Sequence, residues 1–190
     1  MTTEHEDASR FLSNEFYEIF PLSRSTLREG FSCGRPRIDN FFAKSALEKN
    51  DKNQVKVHVA ELLENGQRTN RAIGFYSVCV RTIGCKKFKK RIQKIFQHYG
   101  GVPVVYLSMI GVTESFAGKG VGSYLLADAL NRSLKVSKDV GIHGVALDAA
   151  TSHLVDFYEK FGFELLENEE DERTMFISCA QIEDALAQAA

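Results

Sequence analysis

The apolar stretch Val104-Val105-Tyr106-Leu107-Ser108-Met109-Ile110-Gly111-Val112 runs into Ala117-Gly118-Lys119-Gly120-Val121-Gly122, and apolar residues at helical spacing follow at once. Several nucleotide-binding folds pass a strand through a glycine-rich turn into a helix, and ordinary glycine turns are commoner still, so the spacing of the glycines has to narrow the choice. Glycine lets the backbone take positive φ and approach a ligand closely, and a helix N-terminus turns N–H groups toward an anion. The expectation is positive φ at Gly118, Gly120 and Gly122, with a pyrophosphate held against the loop amides. Val121, Leu125, Leu126, Ala129, Leu130 and Leu134 predict one buried face on a helix reaching about Lys138.

Spacing removes two nucleotide readings. A Walker A loop needs Gly-Lys followed by Ser or Thr, and Lys119 is followed by Gly120. A dinucleotide fingerprint needs G-x-G-x-x-G, whereas these glycines fall at every second position.

The flanking segments read as mixed α/β around one sheet. Val55 to Leu63 and Ala72 to Ile83 predict two strands joined as a hairpin through Glu64-Asn65-Gly66-Gln67. Ile38 to Leu47 fits an amphipathic helix, and Met175-Phe176-Ile177 a late strand. His143 to Asp148 predicts a strand, followed by a helix from Thr151 to Lys160 that Gly162 would end as a left-handed cap. With 190 residues and 44% hydrophobic content, one domain over residues 16–190 is expected, preceded by a flexible polar tail over 1–15.

Several classes are excluded by composition. No stretch approaches the roughly 20 apolar residues of a membrane helix, so no membrane partner is expected. The start, Met1 to Asp7, is acidic rather than signal-like. The four cysteines show no C-x-x-C spacing and the histidines are scattered, so reduced thiols, no metal and a cytoplasmic location are expected.

The formal net charge is −1, yet Lys86 to Tyr99 carries only positive charge. Phe88, Ile92, Ile95, Phe96 and Tyr99 would share one face of a helix, with the cations on the other. Three readings stay open. The face is solvated and balanced by Glu167, Glu169, Glu170, Asp171 and Glu172; or Lys86, Lys87, Lys89 and Lys90 contact a nucleic-acid backbone; or the helix lies on an anionic membrane surface.

The glycine loop resembles the coenzyme A loop of the GNAT family of N-acetyltransferases, whose pattern is Gln or Arg, two residues, Gly, one residue, Gly or Ala. Gly120 and Gly122 occupy the two small positions, and Ala117 stands where the family has Gln or Arg. Phe157-Tyr158-Glu159-Lys160-Phe161-Gly162-Phe163 resembles a second signature of the same family. The resemblance implies a mixed α+β GNAT fold: one central, mostly antiparallel twisted sheet flanked by helices, with coenzyme A held where the central strands splay apart. It also implies acetyl-CoA as cosubstrate, bound by Ile110, Gly111, Val112, Ala117, Gly118, Lys119, Gly120, Val121, Gly122, Ser123 and Thr151. Gly111 would allow close approach of the pantetheine arm, and a backbone N–H near Met109 or Ile110 would meet the oxyanion.

Acyl transfer from a thioester needs an acid near the leaving sulfur. A phenol, with a reference pKa of about 10, is protonated at neutral pH and can donate there. Leu154, Phe157 and Phe161 make an i, i+3, i+7 apolar face that leaves Tyr158 near its edge, and the family resemblance places a tyrosine of this helix at the sulfur. Tyr158 is therefore the catalytic candidate. A general base is not singled out among His58, Glu61, Glu114 and Asp148.

Phe31-Ser32-Cys33-Gly34, Ile38-Asp39-Asn40-Phe41-Phe42 and Ile73-Gly74-Phe75-Tyr76-Ser77 resemble the GNAT toxins of toxin–antitoxin modules. That likeness implies the α-amine of aminoacyl-tRNA as acceptor and a ribbon–helix–helix antitoxin as partner. The chain departs from it at Met109, and at Glu114 and Ser115, where such toxins carry basic residues. A small-molecule amine, a protein N-terminus, and a non-catalytic acyl-CoA-binding regulator remain as alternatives, and a homodimer is left open.

Overall fold

The computed structural model describes residues 16–167 and 173–189, so the tail expected over 1–15 and the acidic residues Glu169 to Glu172 lie outside the described residues. The strands are β1 (Tyr17–Pro21), β2 (Lys56–Glu64), β3 (Gln67–Ile83), β4 (Val102–Val112), β5 (Gly144–Asp148), β6 (Glu164–Leu165) and β7 (Thr174–Ser178). They form one mostly antiparallel sheet in the order β1-β2-β3-β4-β5-β7-β6. The helices are α1 (Pro36–Asn40), α2 (Ala46–Asp51), α3 (Lys90–Phe96), α4 (Val121–Ser137), α5 (Ser152–Glu159) and α6 (Cys179–Ala189). No helix among the described residues is long and apolar enough to cross a membrane. The described chain divides into two compact units, residues 16–78 with 109–128 and residues 79–108 with 129–189.

In the first unit, β2 pairs antiparallel with β1 and with β3. Asn65 and Gly66 link β2 to β3 at φ 52° and 74°, the two consecutive positive values a type I′ hairpin turn requires. The expected hairpin is present, and β3 begins at Gln67 rather than Ala72 because Gln67 and Arg68 pair opposite Glu64 and Leu63. The predicted helix is longer than Ile38 to Leu47: α1 opens with Pro36 in its first turn and joins α2 through a π-helical turn over Phe41–Ser45. That turn brings both Phe41 and Phe42 onto Phe75, with ring centroids 6.0 and 4.2 Å away, and Phe31 closes the cluster edge-on.

In the second unit, β4 pairs parallel with β5, and β5 is followed by β7 and then β6. Phe88, Val104, Tyr106, Ala146 and Phe176 form its core, where Phe88 meets Phe176 edge-on at 5.1 Å. The expected helix over Lys86 to Tyr99 is shorter. Phe88 is extended and fully buried, which breaks the segment into a 3₁₀ turn, Cys85–Lys87, and α3. Ile92 and Phe96, four residues apart, turn toward the core, whereas Ile95 and Tyr99 are 52% and 77% exposed, so the five-residue apolar face does not form.

Candidate active site

Two residues after the end of β4, Glu114–Phe116 makes a single 3₁₀ turn, and the chain then passes through Ala117 to Gly120 into α4. Gly118 and Gly120 take φ of 74° and 81°, as expected. Gly122 does not, because α4 has already begun at Val121. Its small size answers no crowding inside the protein: a Cβ there would meet only Val112, at an ordinary 3.8 Å, and one on Gly118 would meet nothing within 4 Å. The amides of Val121, Gly122 and Ser123 belong to the first turn of a helix, which supplies them no acceptor. The exposed loop over Ala117 to Gly120 therefore leads into a helix start whose first amides have no helical acceptor, a fit for a pyrophosphate. Lys119 adds a cation and lies 5.1 Å from the Phe116 ring.

The strand before the loop is open on one side. The β4–β5 ladder registers Val104↔Gly144, Val105↔Val145 and Tyr106↔Ala146 and stops there, although β4 runs on to Val112 and β5 to Asp148. Backbone groups of β4 beyond Tyr106 are thus not taken up by β5, and an amide-bearing arm can pair with them as an added strand. Ile110 and Val112 are half-buried on this stretch. Gly111 is also hemmed in by the protein itself. A Cβ there would meet Ile38 at 2.9 Å and Cys33 at 3.4 Å, so its small size serves the packing of α1 and the Cys33 turn.

Tyr158 is the buried residue of α5, only 5% exposed, while Leu154, Phe157 and Phe161 are half-buried; the expected edge position is corrected accordingly. Its ring meets Phe157 and Phe163 at 5.2 and 5.8 Å. Gly162, at φ 85°, caps the helix as expected, with the Phe163 N–H donating to the Tyr158 carbonyl. Thr151 is the N-cap of α5, its hydroxyl accepting from the Leu154 N–H.

The base candidates are placed as follows. Glu61 is completely buried and accepts from both Arg68 nitrogens, at 2.5 and 2.8 Å, and from the Thr26 hydroxyl at 2.9 Å; it is an internal ion pair. His58 stacks on Tyr76 at 5.0 Å, and Glu114 lies on the exposed 3₁₀ turn. Asp148, the exposed last residue of β5, accepts from the Tyr106 phenol at 2.5 Å and from the Thr174 hydroxyl at 2.9 Å. Burial, reinforced by the Asp148 carboxylate, holds the Tyr106 phenol well above its ordinary pKa and therefore protonated, and the Arg81 guanidinium covers its ring at 3.8 Å. Among the described residues no His, Cys, Asp or Glu cluster is suited to a metal.

Of the four lysines singled out, Lys86, Lys89 and Lys90 are exposed and Lys87 is half-buried. Lys89 is paired with Glu164 at 2.8 Å, which raises the lysine pKa and lowers that of the carboxyl. Lys87, Lys89 and Arg91 line a groove of about 540 Å³ whose other walls include Glu164, Leu165 and Gln181.

The acetyltransferase (GNAT) domain family matches residues 67–165, more than half of the chain. The chain belongs to the GNAT family. It is an N-acetyltransferase with acetyl-CoA as acyl donor. It is similar to the probable toxin TacT of Sinorhizobium fredii, 32% identical over 146 residues that cover 73% of this chain and 78% of the relative. A tRNA-acetylating toxin of Mycobacterium tuberculosis is 27% identical over 135 residues, 71% of this chain and 76% of that one. Among solved structures, AtaT complexed with acetyl-methionyl-tRNAfMet shares the fold at a TM-score of 0.79 and 22% identity, covering 90% of this chain and 99% of that one. A mutant of the same toxin is solved bound to the C-terminus of the antitoxin AtaR, with a TM-score of 0.73 and the same identity and coverage.

Proposed function

We propose that this GNAT enzyme acetylates the α-amine of aminoacyl-tRNA in the cytoplasm, as the toxin partner of a ribbon–helix–helix antitoxin, and that residues 16–190 form its single catalytic domain. The observation that supports the donor half is the helix start behind the glycine loop, whose first amides have no helical acceptor, set after a strand whose ladder with β5 ends early. Similarity to TacT and to the tRNA-acetylating toxin supports the acceptor. The amides of Gly118 and of Gly120 to Ser123 receive the pyrophosphate with the Lys119 side chain beside them, and Ala117 sets the loop entrance through backbone alone. The β4 backbone over Ile110, Gly111 and Val112 receives the pantetheine arm, and Thr151 shapes the start of α5 against the cofactor. Acetyl-CoA supplies the activated acyl group.

Tyr158 holds a proton for the leaving sulfur. The α-amine, with a reference pKa near 8, needs no dedicated base, since part of it is neutral at cytosolic pH. Incubation with acetyl-CoA and a panel of charged tRNAs, read by mass spectrometry of the released amino acids, tests the acceptor. Transfer to small amines alone, or coenzyme A binding without thiol release, overturns the proposal.

Tyr158→Phe is expected to lower kcat about 100-fold or more while acetyl-CoA affinity stays within about twofold, because only the proton donor is removed. Steady-state thiol release and calorimetry check this. Wild-type turnover in the variant would make Tyr158 a packing residue.

Replacing Lys86, Lys87, Lys89 and Lys90 together by Gln is expected to raise the KM for tRNA and to flatten its dependence on salt, because fewer counterions are released on binding. The Lys89–Glu164 pair is surface-exposed, so its loss should change stability by about 1 kcal/mol or less. A tRNA KM indifferent to both the substitutions and added salt would leave these lysines as a solvated face.

A further inference from the structure

We propose that Asp148 captures the α-amino group of the acceptor in its ammonium form as it arrives, the proton passing to solvent before the neutral amine attacks, with Tyr106 and Thr174 as the positioning residues that aim the carboxylate. The inference rests on the aminoacyl-tRNA reading and adds the residue that recognises the amine. Ala146, Leu147 and Ala149 around Asp148 are all buried, yet Asp148 is exposed. Its two oxygens are each fixed by one hydroxyl, Tyr106 on Oδ2 and Thr174 on Oδ1. Register explains the grouping: Tyr106 pairs with Ala146, Asp148 lies two residues further on the same face, and Thr174 is its direct partner on β7.

Both donors are neutral, so they orient the carboxylate without cancelling its charge. No ion pair reaches Asp148 among the described residues. The nearby cation, Arg81, instead lies over the face of the Tyr106 ring. The carboxylate lies two residues past the point where the β4–β5 ladder stops, and it is exposed there. Hydrogen bonds between a carboxylate and an ammonium are stronger than neutral ones, which suits discrimination of an amine from an uncharged group.

The test compares an aminoacyl-tRNA that the wild-type enzyme acetylates with the matching 2-hydroxyacyl-tRNA used as a competitor. Asp148→Asn should raise the KM of the amine substrate about tenfold or more, the size of a lost charged hydrogen bond, while the inhibition constant of the hydroxy analogue changes by less than about twofold. Acetyl-CoA affinity, measured by calorimetry, should not change. Tyr106→Phe and Thr174→Val keep the charge but loosen its aim, and each should give a smaller rise in KM with the same selectivity for the amine; these variants carry the test if Asp148→Asn does not fold. Equal weakening of both ligands, or of neither, overturns the assignment alone. A wild-type enzyme that acetylates no aminoacyl-tRNA overturns the acceptor reading, and this assignment with it.

Discussion

Gly120→Asp abolishes acetyl-CoA binding at ordinary assay concentrations. Gly120 sits at φ 81° in the exposed turn that leads into α4, where the proposed pyrophosphate meets the backbone amides. An aspartate there brings a like charge to within a few ångströms of the ligand, a repulsion of about 2 to 4 kcal/mol after solvent screening, or roughly 30- to 1000-fold in affinity. A left-handed φ also costs an ordinary residue about 1 kcal/mol, so Gly120→Asn serves as the control that carries the strain without the charge. Calorimetry should find the Asn variant weakened by no more than about fivefold and the Asp variant without a measurable isotherm. Unchanged affinity in a folded Gly120→Asp protein would remove the loop from the cofactor site.

Arg68→Ala should be among the most destabilising single substitutions in the first unit. Glu61 has no exposed surface, and Arg68, its side chain 32% exposed, is the only cation bonded to it among the described residues. Without Arg68 the carboxylate keeps only the Thr26 hydroxyl, and an uncompensated buried charge costs about 3 to 5 kcal/mol. Against a total of about 5 to 15 kcal/mol for a typical domain, that shifts the urea midpoint strongly. Pairing it with Glu61→Leu should restore much of the loss, since removing the charge removes the penalty. A single-variant loss under about 1 kcal/mol would mean that water reaches Glu61.

The sequence made the glycine loop, α4 and the α5–Gly162 corner legible because their signals are local: positive-φ glycines, a 3.6-residue period, a C-cap. The same locality explains what was misplaced. Gly122 is written like Gly118 and Gly120, and only the start of α4 at Val121 decides that its φ is helical. Gly111 looks like a residue spared only for a ligand until Ile38 and Cys33, more than seventy residues earlier, are brought against it. The basic segment has helical periodicity throughout, yet burial of Phe88 beside Phe176 outweighs that local preference and cuts it short. The Tyr106–Asp148–Thr174 group was invisible for a different reason. It depends on the registers of two ladders, and no spacing along the chain encodes it.

Strand β7 is synthesised after both β5 and β6, yet it lies between them. β6 pairs with β7 alone, and the corner at Gly162 lies close to the Ile177 side chain. While the chain is still emerging from the ribosome, β1 to β3 and the glycine loop can form from neighbouring residues. The short strand that follows Gly162 has no partner until Thr174 to Ser178 arrive. A nascent chain, or one cut short near residue 170, therefore lacks β7 and with it the side chain that backs the Gly162 corner just after Tyr158.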